Sequence, residues 1–127
     1  MYTLIAAVAM VSIAAILLVM PSNAISQSKG TAAKGFAIPD SISKIAKASC
    51  INCHADDGKL MAKAKVNLSK WDTYSPEKQI AKALDMCKMV TNGKMPPKAF
   101  RASHPEGVPT AKQIKTICNW ANSLKMN

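Results

Sequence analysis

Two cysteines and a histidine, Cys50, Cys53 and His54, stand close enough in the sequence to act together on one ligand. Residues three or four positions apart on a helix lie on the same side, so both sulfurs and the imidazole face one direction. Their order is C-x-x-C-H, the pattern to which c-type haem is attached. Thioether bonds from the two sulfurs would hold the porphyrin while His54 binds the iron. The spacing therefore predicts one covalent haem c.

Zinc binding and thiol redox chemistry are the alternative uses of a C-x-x-C pair. A tetrahedral zinc site usually needs a second close pair of ligands, and the remaining candidates Cys87, His104 and Cys118 are scattered. A thioredoxin-like pair lies beside a β-α-β pattern, and this sequence shows no convincing strand alternation. Haem attachment therefore fits the sequence better than either alternative.

A methionine in a proline-rich loop is the candidate for the opposite side of the iron. Met95 is followed by Pro96 and Pro97, and prolines reduce the entropy lost in holding a thioether at a metal. His104 is the alternative ligand, although it is more simply explained as a loop histidine that caps local carbonyls or is exposed. Ligation by methionine and histidine raises the reduction potential relative to two histidines and closes the iron to small molecules.

Trp71 is a further candidate for contact with the cofactor. A buried indole N–H needs an acceptor, and a haem propionate would be one. A tryptophan that simply packs in the core is the alternative. The sequence leaves both interpretations open.

Helical periodicity indicates the elements that position these residues. Apolar residues recur at helical spacing, start signals of helices occur near Pro39, Pro76 and Thr110, and residues 59–65 could form a short helix. The first helix delivers the attachment motif at its end, and the third runs from about Pro76 to Thr91. A loop covers residues 66 to 71 between the second and third helices. Met95 lies in the connection to the last helix, which a capping box at Thr110 opens.

Cys87 and Cys118 fall on the inward faces of the third and last predicted helices. In an oxidising compartment they could form a disulfide, and otherwise they would be two buried thiols. The spacing does not decide between the two states.

Residues 1–24 contain no charged side chain, and a run of apolar residues from 4 to 20 is broken only by Ser12. Ser22 and Ala24 suit cleavage by signal peptidase before Ile25, but the run could also span a membrane. We therefore expect residues 1–24 to be a signal peptide or an N-terminal membrane anchor, 25–38 a flexible tether and 39–127 the haem domain. Both outcomes locate the domain in the periplasm or on the outer face of the cytoplasmic membrane.

The formal charge of +10 lies entirely beyond residue 24. Lysines follow the attachment motif and flank the candidate methionine: Lys59, Lys63, Lys65, Lys94 and Lys98. Around an exposed haem edge they would steer an acidic redox partner protein, for example a membrane respiratory or photosynthetic complex. A solvated basic surface without a docking role is the alternative. Nucleic acid is not an expected partner outside the cytoplasm.

Four features occur together in the order found in c-type cytochromes: Cys50 to His54, Val66 to Trp71, Gly93 to Pro97 with Phe100, and His104-Pro105 leading into Thr110 to Trp120. The chain resembles these proteins, and most closely the single-haem branch known as the haem-binding domain family. The resemblance implies a small all-α, cytochrome c-like fold of three to four helices around one covalent haem c. It also implies that His54 and Met95 are the axial ligands.

The expected function is electron transfer, by a soluble or anchored carrier or by the cytochrome subunit of a membrane complex. No catalytic constellation accompanies the motif, so the sequence predicts no enzymatic activity. The alternative is a haem-based sensor or a small-ligand-binding protein, which needs a labile sixth site. A peroxidase-like enzyme would need a distal acid/base group, a role that His104 could fill only if it lies over the distal face.

Overall fold

The computed structural model describes residues 34–126, in which every regular element is helical. The α-helices are α1 (Asp40–Ser49), α2 (Ile51–His54), α3 (Leu60–Lys65), α4 (Pro76–Thr91), α5 (Lys98–Ser103) and α6 (Ala111–Ser123). Short 3₁₀ turns cover Leu68–Thr73, Pro105–Gly107 and Leu124–Met126. The predicted all-α fold is confirmed. It has six α-helices where three to four were expected, because the attachment motif forms its own turn, α2, and the six-residue helix α5 follows the methionine loop.

The two longest helices begin where their sequence signals predict. Ser75 precedes α4, and its hydroxyl accepts a hydrogen bond from the amide of Lys78 at 3.3 Å. Thr110 precedes α6 and forms a reciprocal capping box with Gln113. These contacts satisfy amides that the helices themselves leave unpaired, so the starts of both helices are fixed locally.

The core lies where α1, α4 and α6 meet the 3₁₀ turn at Leu68–Thr73. Its buried apolar side chains are Ile42, Ile45, Trp71, Ala83, Val90, Ile117, Trp120, Ala121 and Leu124. The rings of Trp71 and Trp120 pack with their centroids 5.5 Å apart. The 3₁₀ turn replaces part of the predicted loop because the side chain of Asn67 accepts a hydrogen bond from the amide of Ser69 and so starts the turn.

A buried glutamine fastens the chain that precedes α1. Gln79 is fully buried, and its Oε1 accepts a hydrogen bond from the amide of Phe36 at 2.6 Å. Its Nε2 donates to the carbonyl of Trp71 at 3.0 Å. Phe36 and Ile38 also pack against the core. The packed domain therefore starts before residue 39, where the boundary was predicted. The tether prediction was based on the polar stretch, and these two apolar residues follow that stretch.

A disulfide joins Cys87 of α4 to Cys118 of α6, with a Cα–Cα distance of 4.8 Å. The sequence placed both cysteines on inward faces but left their state open. The structure has the bonded state, and it ties together the two longest helices of the described domain.

Loss of this disulfide is expected to lower the free energy of unfolding. The bond closes a loop with a sequence separation of 31, for which chain entropy predicts a stabilisation of about 3–4 kcal/mol. Urea unfolding of the wild type and of the Cys87→Ser/Cys118→Ser variant measures it. Reductant should destabilise the wild type and leave the variant unchanged. Equal stability of the two proteins would contradict the bond.

The predicted signal peptide or anchor, residues 1–24, lies outside the described residues, as do the first residues of the predicted tether. Within residues 34–126, none of the helices is both long and apolar enough to cross a membrane.

Candidate functional site

The C-x-x-C-H motif forms one helical turn directly after α1. Cys50 links the two helices, since its amide donates to Ala46 of α1 and its carbonyl accepts from the amide of His54 at 2.9 Å. Cys50 and Cys53 are free thiols of intermediate exposure. The sequence prediction of a shared helical turn therefore agrees with the structure, in which the five residues from Cys50 to His54 form α2 and the residue that caps it.

His54 is held by a backbone carbonyl twelve residues further along the chain. Its Nδ1 lies 3.1 Å from the carbonyl oxygen of Val66. A carbonyl oxygen can only accept a hydrogen bond, so Nδ1 must carry the hydrogen. The lone pair then resides on Nε2, which is free to bind a metal. Histidines that bind metals are commonly oriented in this way through their second nitrogen.

A polar network fixes the segment that supplies this carbonyl. Asn67 is 8 % exposed, and its Nδ2 donates to a carboxylate oxygen of Asp56 at 2.7 Å. The amide of Asp56 donates to the hydroxyl of Ser69 at 3.2 Å. Lys63 adds a bond from its Nζ to the carbonyl of Asp56 at 2.7 Å. The chain just after the motif is therefore tied to the segment around Val66 by several hydrogen bonds.

The loop of Met95 is fixed through its backbone while its side chain stays accessible. Gly93 has φ +65°, a left-handed conformation that glycine adopts without strain. The amides of Lys94 and Met95 both donate to the carbonyl of Met89, at 3.0 and 3.1 Å. Pro96 is buried, but Met95 is 36 % exposed. The thioether is therefore carried by an anchored turn and remains available to a ligand.

A cleft of about 250 Å³ is shared by the attachment motif and the chain after Met95. Its lining residues are Asn52, Cys53, Lys59, Pro97, Ala99, Phe100, Ser103 and His104. Pro97 lies two positions after Met95, so the structure brings the methionine loop and the motif to the same part of the molecule. Of the predicted haem residues, Cys53 lines the cleft, whereas Cys50, His54, Trp71 and Met95 are not among its lining residues.

His104 lines this cleft at the end of α5. Its Nδ1 lies 3.4 Å from a carboxylate oxygen of Glu106, and its ring centroid lies 4.9 Å from that of Phe100. The side chain is about half exposed. These local contacts are those of a loop histidine, the alternative to the ligand role.

Trp71 uses its indole N–H within the protein. The side chain is 2 % exposed, and Nε1 donates to the carbonyl of Phe36 at 2.6 Å. This bond occupies the single hydrogen that a haem propionate would have received. The structure therefore supports the interpretation of Trp71 as a core tryptophan.

The state of the thiols bears on the zinc and redox alternatives. Burial raises the pKa of Cys50 to about 11, and the charge of Cys53 acts in the same direction. Reactive redox cysteines have a lowered pKa, so this environment does not suit a thioredoxin-like pair.

Within residues 34–126, no group of three or more His, Cys, Asp or Glu side chains could hold a metal ion. A thioether sulfur is uncharged, and an uncharged sulfur suits the partly buried position of Cys50.

Comparison with known proteins gives one family. Residues 60–123, just over half of the chain, match the model of a family described as a haem-binding domain. The matched segment begins after Cys50, Cys53 and His54, so it supports a haem site independently of the attachment motif. Comparisons with curated proteins and with solved structures found no match.

Proposed function

Because the chain belongs to the haem-binding domain family, we propose that it is an electron-transfer protein with one covalent haem c. In this proposal His54 and Met95 are the axial ligands. Haem binding itself follows from the family. Covalent attachment, the ligands and electron transfer rest on the geometry of the site.

The observation that carries the proposal is the hydrogen bond between His54 Nδ1 and the carbonyl of Val66. It fixes both the tautomer and the direction of the ring, so His54 presents Nε2 as a neutral ligand. A histidine with this support loses little entropy when it binds iron, and the carbonyl makes its other nitrogen more basic. The site therefore has a preorganised ligand next to the two free thiols.

Cys50 and Cys53 would form thioether bonds with the vinyl groups of the porphyrin. Each new bond joins a cysteine sulfur to a vinyl carbon, and the thiol hydrogen goes to the neighbouring vinyl carbon, so no oxidant or reductant is consumed. When bound, the haem supplies a one-electron change between ferrous and ferric iron. The protein sets the potential of that change through its ligands, burial and nearby charges.

Met95 would complete the coordination. Its backbone is held by Met89, its side chain is 36 % exposed, and Pro97, two positions further along, lines the same cleft as Cys53. A thioether favours ferrous iron relative to a second imidazole and leaves no open site. This arrangement suits a carrier better than a sensor or an enzyme, which must admit a small molecule to the iron.

We propose further that the carrier meets an acidic redox partner outside the cytoplasm. Lys59 lines the cleft, and Lys94 and Lys98 are exposed on either side of the Met95-Pro96-Pro97 turn. Lys63 binds the carbonyl of Asp56, so it contributes less freely to such a surface. A membrane respiratory or photosynthetic complex on the periplasmic side would be a partner of this kind, and association with it should weaken with added salt.

Spectroelectrochemistry under carbon monoxide tests this function. The purified full chain is titrated between oxidising and reducing potentials, first under argon and then under carbon monoxide. An electron carrier should show one reversible one-electron transition and the same ferrous spectrum under both gases. A ferrous spectrum that changes with carbon monoxide would contradict the proposal and favour the sensor.

A further inference from the structure

We propose that Tyr74 is a positioning residue for His54 and that it acts through the peptide group between Val66 and Asn67. The inference rests on the proposed function, because it requires His54 as the axial ligand. The hydroxyl of Tyr74, twenty positions after His54, would thereby help to set the reduction potential.

One peptide group is held at both of its polar ends. The carbonyl of Val66 accepts from His54 Nδ1 at 3.1 Å. The N–H of Asn67 belongs to the same peptide group, and it donates to the hydroxyl of Tyr74 at 2.9 Å. The peptide plane cannot turn without lengthening one of these bonds. The direction of the carbonyl towards His54 therefore depends on Tyr74.

Tyr74 offers this hydroxyl from a rigid support. Its ring packs against the core and meets the ring of Trp71 edge to face, with centroids 6.2 Å apart. Nζ of Lys78 lies 4.3 Å from the centre of the same ring. The amide of Tyr74 donates to the carbonyl of Trp71 at 3.1 Å. These contacts involve the ring and backbone, so they persist when only the hydroxyl is removed.

The side chain of Asn67 does not compete for this bond, since it is engaged elsewhere. Its Nδ2 donates to Asp56, and its Oδ1 accepts from the amide of Ser69 at 3.1 Å. Asn67 thus fastens the loop through its side chain and leaves its backbone N–H to Tyr74.

The hydroxyl also changes the strength of the bond to His54. An amide whose N–H donates a hydrogen bond becomes more polarised, and its carbonyl oxygen becomes a better acceptor. A better acceptor draws more strongly on the Nδ1 hydrogen, which makes Nε2 a stronger donor to iron and stabilises the ferric state. Removal of the Tyr74 hydroxyl should therefore shift the reduction potential to more positive values.

The test compares Tyr74→Phe with the wild type, each as the haem-loaded full chain. Tyr74→Phe should have the more positive potential, and the ferric protein should show altered electron paramagnetic resonance g-values because the histidine ring is less constrained. Thr73→Val is the matched control. It removes the neighbouring hydroxyl, which donates to the carbonyl of Lys70 at 2.7 Å and has no bond to the peptide group. The control should keep the wild-type potential and g-values.

A second measurement follows the backbone amide of Asn67 directly. In the ferrous wild type, the amide hydrogen of Asn67 should exchange with solvent much more slowly than that of an exposed residue. In Tyr74→Phe this exchange should accelerate. Fast exchange in the wild type would overturn the role of Tyr74, as would a potential for Tyr74→Phe equal to that of Thr73→Val. A wild type in which His54 does not bind the iron would instead contradict the proposed function.

Discussion

The His54→Ala variant is expected to lose stably bound haem altogether. The substitution removes the proposed iron ligand, a histidine whose tautomer is fixed because its Nδ1 donates to the carbonyl of Val66. It also leaves the half-buried carbonyl of Val66 without this partner. The measurement is the ratio of haem to polypeptide in protein matured in parallel with the wild type. We expect about one haem per chain for the wild type and close to none for the variant.

His104→Ala is the matched control for this experiment. The sequence contains two histidines, and His104 lines the cleft together with Cys53 of the motif but contacts Glu106 and Phe100. Its removal should leave both the haem content and the spectrum unchanged. Haem loss in His104→Ala together with normal loading of His54→Ala would reverse the ligand assignment.

The Met95→Ala variant is expected to keep its haem but to bind carbon monoxide in the ferrous state. Loss of the thioether opens the sixth position and removes a ligand that favours ferrous iron, so the potential should fall. We expect a fall on the order of 0.1 V or more, within the span of about 0.8 V that axial ligands cover. Potentiometric titration and the carbon monoxide difference spectrum measure the two effects.

Met61→Ala is the control for the methionine experiment. Met61 is 75 % exposed on α3, shortly after the attachment motif, and it offers the same thioether from a different element. Its removal should change neither the potential nor the response to carbon monoxide. If Met61→Ala opens the iron and Met95→Ala does not, Met95 is not the ligand.

Local signals made the main helices predictable. The limits of α4 depend on Ser75, Pro76 and Gly93, and the start of α6 depends on Thr110 and Gln113. Each of these residues acts within a few positions of its place in the chain. The same is true of the motif from Cys50 to His54, which needs a single helical turn to bring its atoms together.

Hydrogen bonds to backbone atoms could not be predicted from the sequence, because every residue type offers the same backbone carbonyl as an acceptor. The carbonyl of Val66 supports His54, and the carbonyl of Phe36 accepts from Trp71. Either carbonyl could have belonged to any residue at that place in the fold. The roles of Gln79 and Tyr74 were missed for the same reason, since both act on backbone groups of distant segments.

Contacts between side chains of different helices could not be predicted, because they depend on how whole helices pack together. The sequence placed Cys87 and Cys118 on inward faces, but only the approach of α4 to α6 decides that their sulfurs meet. The cleft depends likewise on α5, a helix of six residues whose apolar pattern is too short to reveal its orientation. Met95 was predictable as a candidate from its prolines, whereas the place of Pro97 in one cleft with Cys53 was not.

The intact mass of the purified protein, measured after denaturation, tests the central claim most directly. The protein should be produced in a host that carries a cytochrome maturation system. We predict the mass of the polypeptide, with or without residues 1–24, increased by one haem that denaturant does not remove. The mass of the polypeptide alone would contradict covalent attachment through Cys50 and Cys53.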